Sequence, residues 1–300
     1  MAGNNIVIAE CMGFEVKVPK NCWYSFFNSP YPAHRLGSAI DIYFMNNEAL
    51  FPIDEGVVID INKFECPKFR SNSTNYDYII IVQLDVNTAL KILHVKPKVN
   101  CGDKLFLGDY IGDLIISGYF YPWSNRHMHI EFRPINDAYR ALGAYKIDVS
   151  PTVKSLINFE GEEDFTYEVY EVYDHYAWLR PASFMEGLPC GLLLNVNDKF
   201  HFIDGGIPHY KYGAVLGLFK NSTPKLLYAD EIAIGNIFLI SDYYCLFKPN
   251  CKVFINDLEV MGIGSYINNR NLKVVKINGN WKFNCGDVVK LKFKISFSSP

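Results

Sequence analysis

The chain lacks most of the features that place a protein quickly. Its longest apolar run, Ile232 to Ile240, is interrupted by Gly235 and Asn236 and falls far short of the roughly 20 residues a membrane-spanning helix needs. The N-terminus, Met-Ala-Gly-Asn-Asn-Ile-Val-Ile-Ala-Glu, has no basic segment and only a brief apolar run before Glu10, so no signal peptide is read there. No Cys-x-x-Cys occurs among the eight cysteines (Cys11, Cys22, Cys66, Cys101, Cys190, Cys245, Cys251 and Cys285), which argues against a cysteine zinc site. Reduced thiols and a cytoplasmic location are therefore the expectations. Positive charge is not in excess either. A net charge of −3 offers no electrostatic footprint for nucleic acid or an acidic membrane surface, so neither is expected as a partner.

What is present points to β-structure in two domains. Three hundred residues is about twice the usual domain length. Apolar residues make up 49% and charged residues 20%, the balance of a chain with real cores. Twenty Tyr and twenty-two Phe suit pleated surfaces, where aromatic rings pack well. Residues 5–18 alternate around Gly13 as short strands, Tyr24 to Gly37 reads as a loop, and Ala39 to Phe44 has strand character. Phe51 to Ile61 turns at Asp54-Glu55-Gly56 before an apolar strand. Tyr78 to Leu84 and Ala89 to Val95 form a pair joined around Asp85-Val86-Asn87. Helical periodicity is weak, and Asn136 to Leu142 is the one short helix expected. Asp148-Val149-Ser150-Pro151 reads as a linker, dividing the chain into domains 1–148 and 149–300. In the second half, Val274 to Ile277, Asn278-Gly279 and Trp281 to Phe283 spell a hairpin, because Asn-Gly accepts positive φ at both turn positions. Asn-Cys-Gly-Asp occurs at 100–103 and again at 284–287, which shared turn chemistry explains more simply than a duplication.

Four of the seven histidines lie in the first half: His34, His94, His127 and His129. On a strand, His127, His129, Glu131 and Arg133 share one face while Met128, Ile130 and Phe132 share the other. Asp41 sits between Ile40 and Ile42 in an apolar strand, where a bare carboxylate is costly to bury. A metal ion would stabilise it; an ion pair with Arg35 or Arg133, or exposure to solvent, is the plainer reading. His34, Asp41 and His129 would give two nitrogens and one oxygen around zinc with the fourth position left for water, the catalytic pattern. Zinc there would acidify the water and polarise a scissile carbonyl, and His127 and His94 are available to move protons.

These residues resemble the lysostaphin/LytM-type zinc endopeptidases. His127 to Arg133 is similar to their His-Leu-His-Phe-Glu-Ile-Arg signature. Phe51 to Val58 resembles their apolar entry to a Gly-x-Val strand, Ile92-Leu93-His94-Val95 their Tyr-x-His-Leu, and Cys101 to Gly112 their Gly-Asp-x-Val run. The order holds from about residue 34 to 134. The resemblance implies an antiparallel β-sheet core with a narrow groove, zinc held by His34, Asp41 and His129, His127 as the catalytic histidine and His94 as its transition-state partner. Two departures stand out. Six residues separate His34 from Asp41 where the family has three, a spacing similar to the His-x-x-Gly-x-Ala-x-Asp of D-Ala-D-Ala carboxypeptidases and hedgehog-type domains, which His34, Gly37, Ala39 and Asp41 match. The Gly/Thr-rich loop before His-x-His is replaced by Tyr119-Phe120-Tyr121-Pro122-Trp123, an aromatic insertion expected to line the substrate groove.

A zinc-dependent peptidase or amidase acting on a peptide-like substrate is thus the leading expectation. A protein of this fold that binds zinc without turnover is the alternative, and a lipoyl-like carrier would need an exposed Lys at a hairpin tip, which Gly108 to Gly112 lacks. In the second half, Asp204 to Tyr210 reads as a surface turn and His175 lies among Tyr170, Tyr173, Tyr176 and Trp178. A β-rich domain that shields or orients substrate is expected there.

Overall fold

The computed structural model describes residues 5–157, 164–183, 189–277 and 280–296. The chain is mainly β and separates into two compact units, one of residues 1–26 and 31–152, the other of 27–30 and 153–300. All eight cysteines are free thiols. No described helix is long and apolar enough to cross a membrane.

The first unit contains β1 (Asn5–Cys11), β2 (Phe14–Pro19), β3 (Trp23–Ser25), α1 (Pro32–Arg35), β4 (Ile40–Tyr43), β5 (Glu48–Leu50), β6 (Glu55–Glu65), β7 (Tyr76–Gln83), β8 (Thr88–Leu93), β9 (Val95–Pro97), β10 (Lys104–Phe106), β11 (Tyr110–Leu114) and β12 (Met128–Pro134). β1 and β2 form a hairpin around Gly13, whose φ of 85° requires a residue without a Cβ. Seven strands form an antiparallel sheet in the order β10-β6-β7-β8-β12-β4-β3, and a three-stranded sheet has the order β5-β11-β9. β12 lies inside the larger sheet, and Met128 to Arg133 are buried on both faces. Its alternation is chemical rather than a split between core and solvent. Met128, Ile130 and Phe132 enter the apolar core, while His129, Glu131 and Arg133 share a buried polar face.

Several local expectations are revised. Tyr24 to Gly37 contains part of β3 and all of α1 rather than a continuous loop. Only Ile135–Asp137 is helical in the region where a helix over Asn136 to Leu142 was expected, and it is a single 3-10 turn. The buried guanidinium of Arg133 explains this, because its Nη2 donates to the carbonyls of Asp137 (2.9 Å) and Leu142 (2.8 Å), drawing the segment into a loop around it. The expected linker instead starts α2 (Ser150–Leu156). Asp148 caps it, accepting from the Ser150 backbone N–H at 2.8 Å and hydroxyl at 3.0 Å. Pro151 then sits in the first turn, where its missing N–H is harmless.

The second unit is built on a thirteen-stranded antiparallel sheet running from Thr166–Val172 to Val288–Ile295. Its core includes Phe165, Leu179, Val215, Phe247 and Leu272. The Asn278-Gly279 turn lies outside the described residues, and Trp281 to Phe283 is not a strand. Asn269–Val275 pairs instead with Gly262–Tyr266 and Tyr176–Pro181, so both of its edges are already taken. Asp204 to Ile207 is not a surface turn but the buried end of the strand Lys199–Ile207. Gly205 allows that burial, since a Cβ there would stand 2.7 Å from the Gly213 backbone. The two Asn-Cys-Gly-Asp segments fold alike. Asp103 Oδ2 accepts the Asn100 N–H at 2.7 Å and Asp287 Oδ2 accepts the Asn284 N–H at 2.8 Å. Gly102 and Gly286 both have φ above 90°, the left-handed position that turn requires.

Candidate metal centre

Cross-strand register brings the first two ligating groups together: His129 on β12 stands directly opposite Asp41 on β4. His34 reaches them from α1. That helix ends at Leu36, Gly37 takes a φ of 67°, and the Gly37 N–H returns to the His34 carbonyl at 3.0 Å. The six residues between His34 and Asp41 are the length of this helix end plus the turn into β4. Asp41 Oδ1 lies 3.1 Å from His34 Nε2 and 2.8 Å from His129 Nδ1, and the two nitrogens are 3.2 Å apart. All three side chains are buried, and among the described residues they form the one group with three clustered metal-ligating side chains. Ligands of a tetrahedral zinc, each about 2 Å from the ion, stand about 3.3 Å from one another. The residues fit that ion.

The outward nitrogens decide which atoms face inward. His34 Nδ1 lies 2.7 Å from the Phe26 carbonyl and His129 Nε2 lies 3.1 Å from Glu131 Oε1. A carbonyl and a carboxylate only accept, so each imidazole donates there and turns a lone pair inward. The second pair of histidines follows the same rule. His127 Nδ1 donates to the Asn125 carbonyl at 2.8 Å and His94 Nδ1 donates to Asp77 Oδ2 at 2.6 Å. His127 Nε2 is 3.6 Å from Asp41 Oδ1, and the His94 and His127 rings meet edge to face with centroids 5.2 Å apart. Three imidazoles thus converge on one carboxylate, and His94 packs edge-on against two of them. Asp41 is held by imidazoles, and Arg133, one of the partners expected for it, instead serves Glu131, Asp137 and backbone carbonyls.

Burial would favour a neutral Asp41, but His127, His34 and His129 outweigh it and hold the carboxyl well below the usual range. Burial also disfavours a charged His129, yet its hydrogen bonds to Asp41 and Glu131 push it up to about 9. His127 moves the other way: burial, together with His94 and His129, overcomes the pull of Asp41 and lowers it to about 4. One imidazole is held as a proton or cation partner, and its neighbour is kept a neutral base.

Two supporting carboxylates are not visible as such in the sequence. Glu131 stands opposite Lys91 in the β12/β8 register and lies 3.3 Å from both Lys91 Nζ and Arg133 Nη1. Asp77, fully buried at the start of β7, grips His94 twice, accepting from its ring and, at 3.1 Å, from its backbone N–H, and also accepts from the Ser117 hydroxyl at 2.5 Å. His94 occupies the corner where the chain leaves the large sheet at β8 and enters the small one at β9, with φ at 67°. A non-glycine residue in that region is held there by its surroundings, and here Asp77 does the holding. The rule that singled out Asp41, a carboxylate embedded in an apolar strand, also fits Asp77 before Tyr78-Ile79-Ile80.

The aromatic insertion reaches the histidines. Phe120 stacks on His127 (centroids 4.5 Å, planes 10° apart) and meets His94 edge-on at 4.7 Å. Tyr31 meets His129 edge-on at 5.3 Å. In the second unit, Tyr173 stacks on Tyr176 and Tyr176 meets Trp178 edge-on, which is strand packing among aromatics. His209 is tilted against Tyr210 with ring centroids 4.3 Å apart.

Comparison with known families gives two matches. Residues 16–149 match the family model described as the N-terminal domain of DUF8155, a domain of unknown function, and residues 161–294 match that of the DUF8155 C-terminal domain. No curated protein and no solved structure matches the chain.

Proposed function

We propose that this chain, which carries both DUF8155 domains, is a zinc-dependent hydrolase that cleaves a peptide or amide bond in its N-terminal unit. The observation that carries this reading is the set of three inward lone-pair atoms on His34, Asp41 and His129, none more than 3.2 Å from another. Atoms packed so closely must share something positive between them: a proton, as in the His129–Asp41 hydrogen bond at 2.8 Å, or a metal ion that displaces it on binding. Bound zinc would supply Lewis acidity toward a carbonyl and a water acidified to a pKa of about 7. His127, neutral and with Nε2 directed at Asp41, would take the proton from the attacking water and return it to the leaving amine. His94, oriented by Asp77, would stabilise the oxygen that gains charge by donating from its second ring nitrogen when that nitrogen also carries a proton. Phe120, packed on both rings, would keep bulk water from them. The resemblance to lysostaphin/LytM-type enzymes in the run from His34 to Arg133 supports the same roles.

The second reading, a zinc-binding scaffold without turnover, is favoured by the burial of the site. His34, Asp41, His127 and His129 are each less than a tenth exposed, and a structural site needs no opening. Metal analysis and peptide hydrolysis on the full chain separate the two. Under the hydrolase reading the parent holds one zinc and cleaves members of a mixed fluorogenic peptide library. His34→Ala loses the zinc, and His127→Ala keeps it while turnover falls about a hundredfold or more. Zinc retained by His34→Ala would refute the ligand set. Zinc bound at full occupancy with no hydrolysis of any library member would favour the scaffold.

A further inference from the structure

We propose that the occupant of this site is an acidic peptide, received on an aromatic and cationic rim made by residues 66–75 and 115–126. The inference rests on the hydrolase reading only for what happens to the peptide after it binds.

The two segments are joined by hydrogen bonds. Phe69 N–H donates to the Gly118 carbonyl at 3.0 Å, Thr74 N–H to the Ile116 carbonyl at 3.0 Å, and Arg70 Nη1 to the Ser124 carbonyl at 3.0 Å. Gly118 allows this closeness, since a Cβ there would lie 1.8 Å from the Pro67 carbonyl oxygen. The joined segments present a ladder of rings. Phe69 stacks on Tyr121 (6.1 Å, 13°) and Tyr121 on Trp123 (4.8 Å, 6°). Phe69 and Tyr121 are exposed at 54% and 39%, and Tyr119 beside them at 46%. The same segment turns Phe120 inward onto His127 and His94, so the ladder adjoins the wall of the metal site.

Charge identifies the occupant. Residues 66–75 and 115–126 hold Lys68, Arg70 and Arg126 and not one Asp or Glu, in a chain whose net charge is −3. Arg70 is engaged in clamping the two segments, to Asn72 at 2.6 Å and to Ser124. Lys68 and Arg126 are exposed, and no described carboxylate lies within ion-pair distance of either. Arg126 directly precedes His127. Two uncommitted cations flanking a ring ladder match a chain that carries carboxylates beside apolar or aromatic side chains. A glycine-rich substrate would use neither feature. Single-stranded nucleic acid also uses rings and cations, but the rim carries two free charges, too few for a phosphate track in a protein that is net acidic.

The test uses the full chain loaded with zinc and three fluorescein-labelled peptides that differ only in having glutamate, glutamine or lysine around one phenylalanine. Binding is read by anisotropy and hydrolysis by chromatography. The glutamate peptide should bind about tenfold more tightly than the glutamine one, as two exposed ion pairs allow, and the lysine peptide most weakly, with the spread narrowing in high salt. The double variant Lys68→Glu/Arg126→Glu should erase or invert that order, whereas Phe69→Ala should weaken all three and leave the order intact. Equal binding of the three peptides, or an order unchanged in the double variant, would overturn the inference. So would a single-stranded oligonucleotide that displaces the glutamate peptide at lower concentration than unlabelled peptide does. The two proposals fail separately. Glutamate-selective binding without hydrolysis removes the hydrolase and keeps the rim, while hydrolysis indifferent to charge keeps the hydrolase and removes the rim.

Discussion

His34 and His127 give their outer N–H to backbone carbonyls, whereas His129 and His94 give theirs to carboxylates that a substitution can remove. Glu131 is the acceptor for His129 and also the shared anion of Lys91 and Arg133. Glu131→Gln keeps an oxygen for His129 but leaves buried Lys91 without its counter-charge and Arg133 with only Asp137, 3.5 Å away. It should weaken zinc binding about ten- to a hundredfold and destabilise the chain by about 3–5 kcal/mol. Chelator competition and urea unfolding measure the two effects independently. Asp77→Asn should leave zinc affinity within about threefold of the parent and lower turnover about tenfold or more, because it loosens His94 and not a ligand. Asp41 and the four histidines that the fold gathers were legible because each belongs to a short motif. Glu131 was read only as one residue of a strand face, and Asp77 not at all, because the pairings with Lys91 for the one and with His94 and Ser117 for the other are made across strands and not along the sequence. What the sequence did carry was the general signal of a carboxylate placed where water is scarce.

At the scale of elements, β12 and the paired segments 66–75 and 115–126 have different tolerances. Ile130 is completely buried on the apolar face of β12, and Ile130→Ala should cost about 2–5 kcal/mol in urea unfolding. Gly118→Ala should destabilise by about 1–3 kcal/mol, since the added methyl would press on the Pro67 and Thr74 carbonyl oxygens and the Cys66 sulfur. It should also part the two segments, which fluorescence of Trp123 on the neighbouring ladder would report. Strand positions were readable from alternation and turn chemistry, as with Tyr76–Gln83 and Thr88–Leu93 about Asp85. The expected helix over Asn136 to Leu142 was not formed, because local periodicity contains no trace of the Arg133 guanidinium that takes the carbonyls of Asp137 and Leu142. The hairpin expected on Asn278-Gly279 misled for a related reason. Turn chemistry specifies a turn, but the edges of Asn269–Val275 were claimed by strands distant in sequence.

At the scale of the molecule, most buried charges lie around β12 in the first unit, whereas the second unit is built on a large apolar cluster with Asp204, Lys273 and Lys276 buried beside it. The second unit also holds the half-buried His201, which makes stability depend on pH. Burial lowers His201 to about 4, with Lys199 adding to the effect. An unfolded chain therefore takes up a proton near pH 6.5 that the folded chain refuses, so stability falls as pH drops from about 6.5 toward 4 and levels off below. His201→Phe keeps a ring against Phe219, which lies 5.0 Å from His201 between centroids, and removes the proton site. Between pH 7 and pH 5 it should lose about 2 kcal/mol less stability than the parent, as urea unfolding at the two pH values would show.

The metal centre itself is tested most directly by zinc K-edge X-ray absorption on the full chain given one equivalent of zinc. Ligation by His34, Asp41 and His129 predicts two imidazoles among nitrogen and oxygen scatterers at about 2.0–2.2 Å and none at the roughly 2.3 Å of a thiolate. A sulfur shell, or a spectrum with a single imidazole, would contradict it.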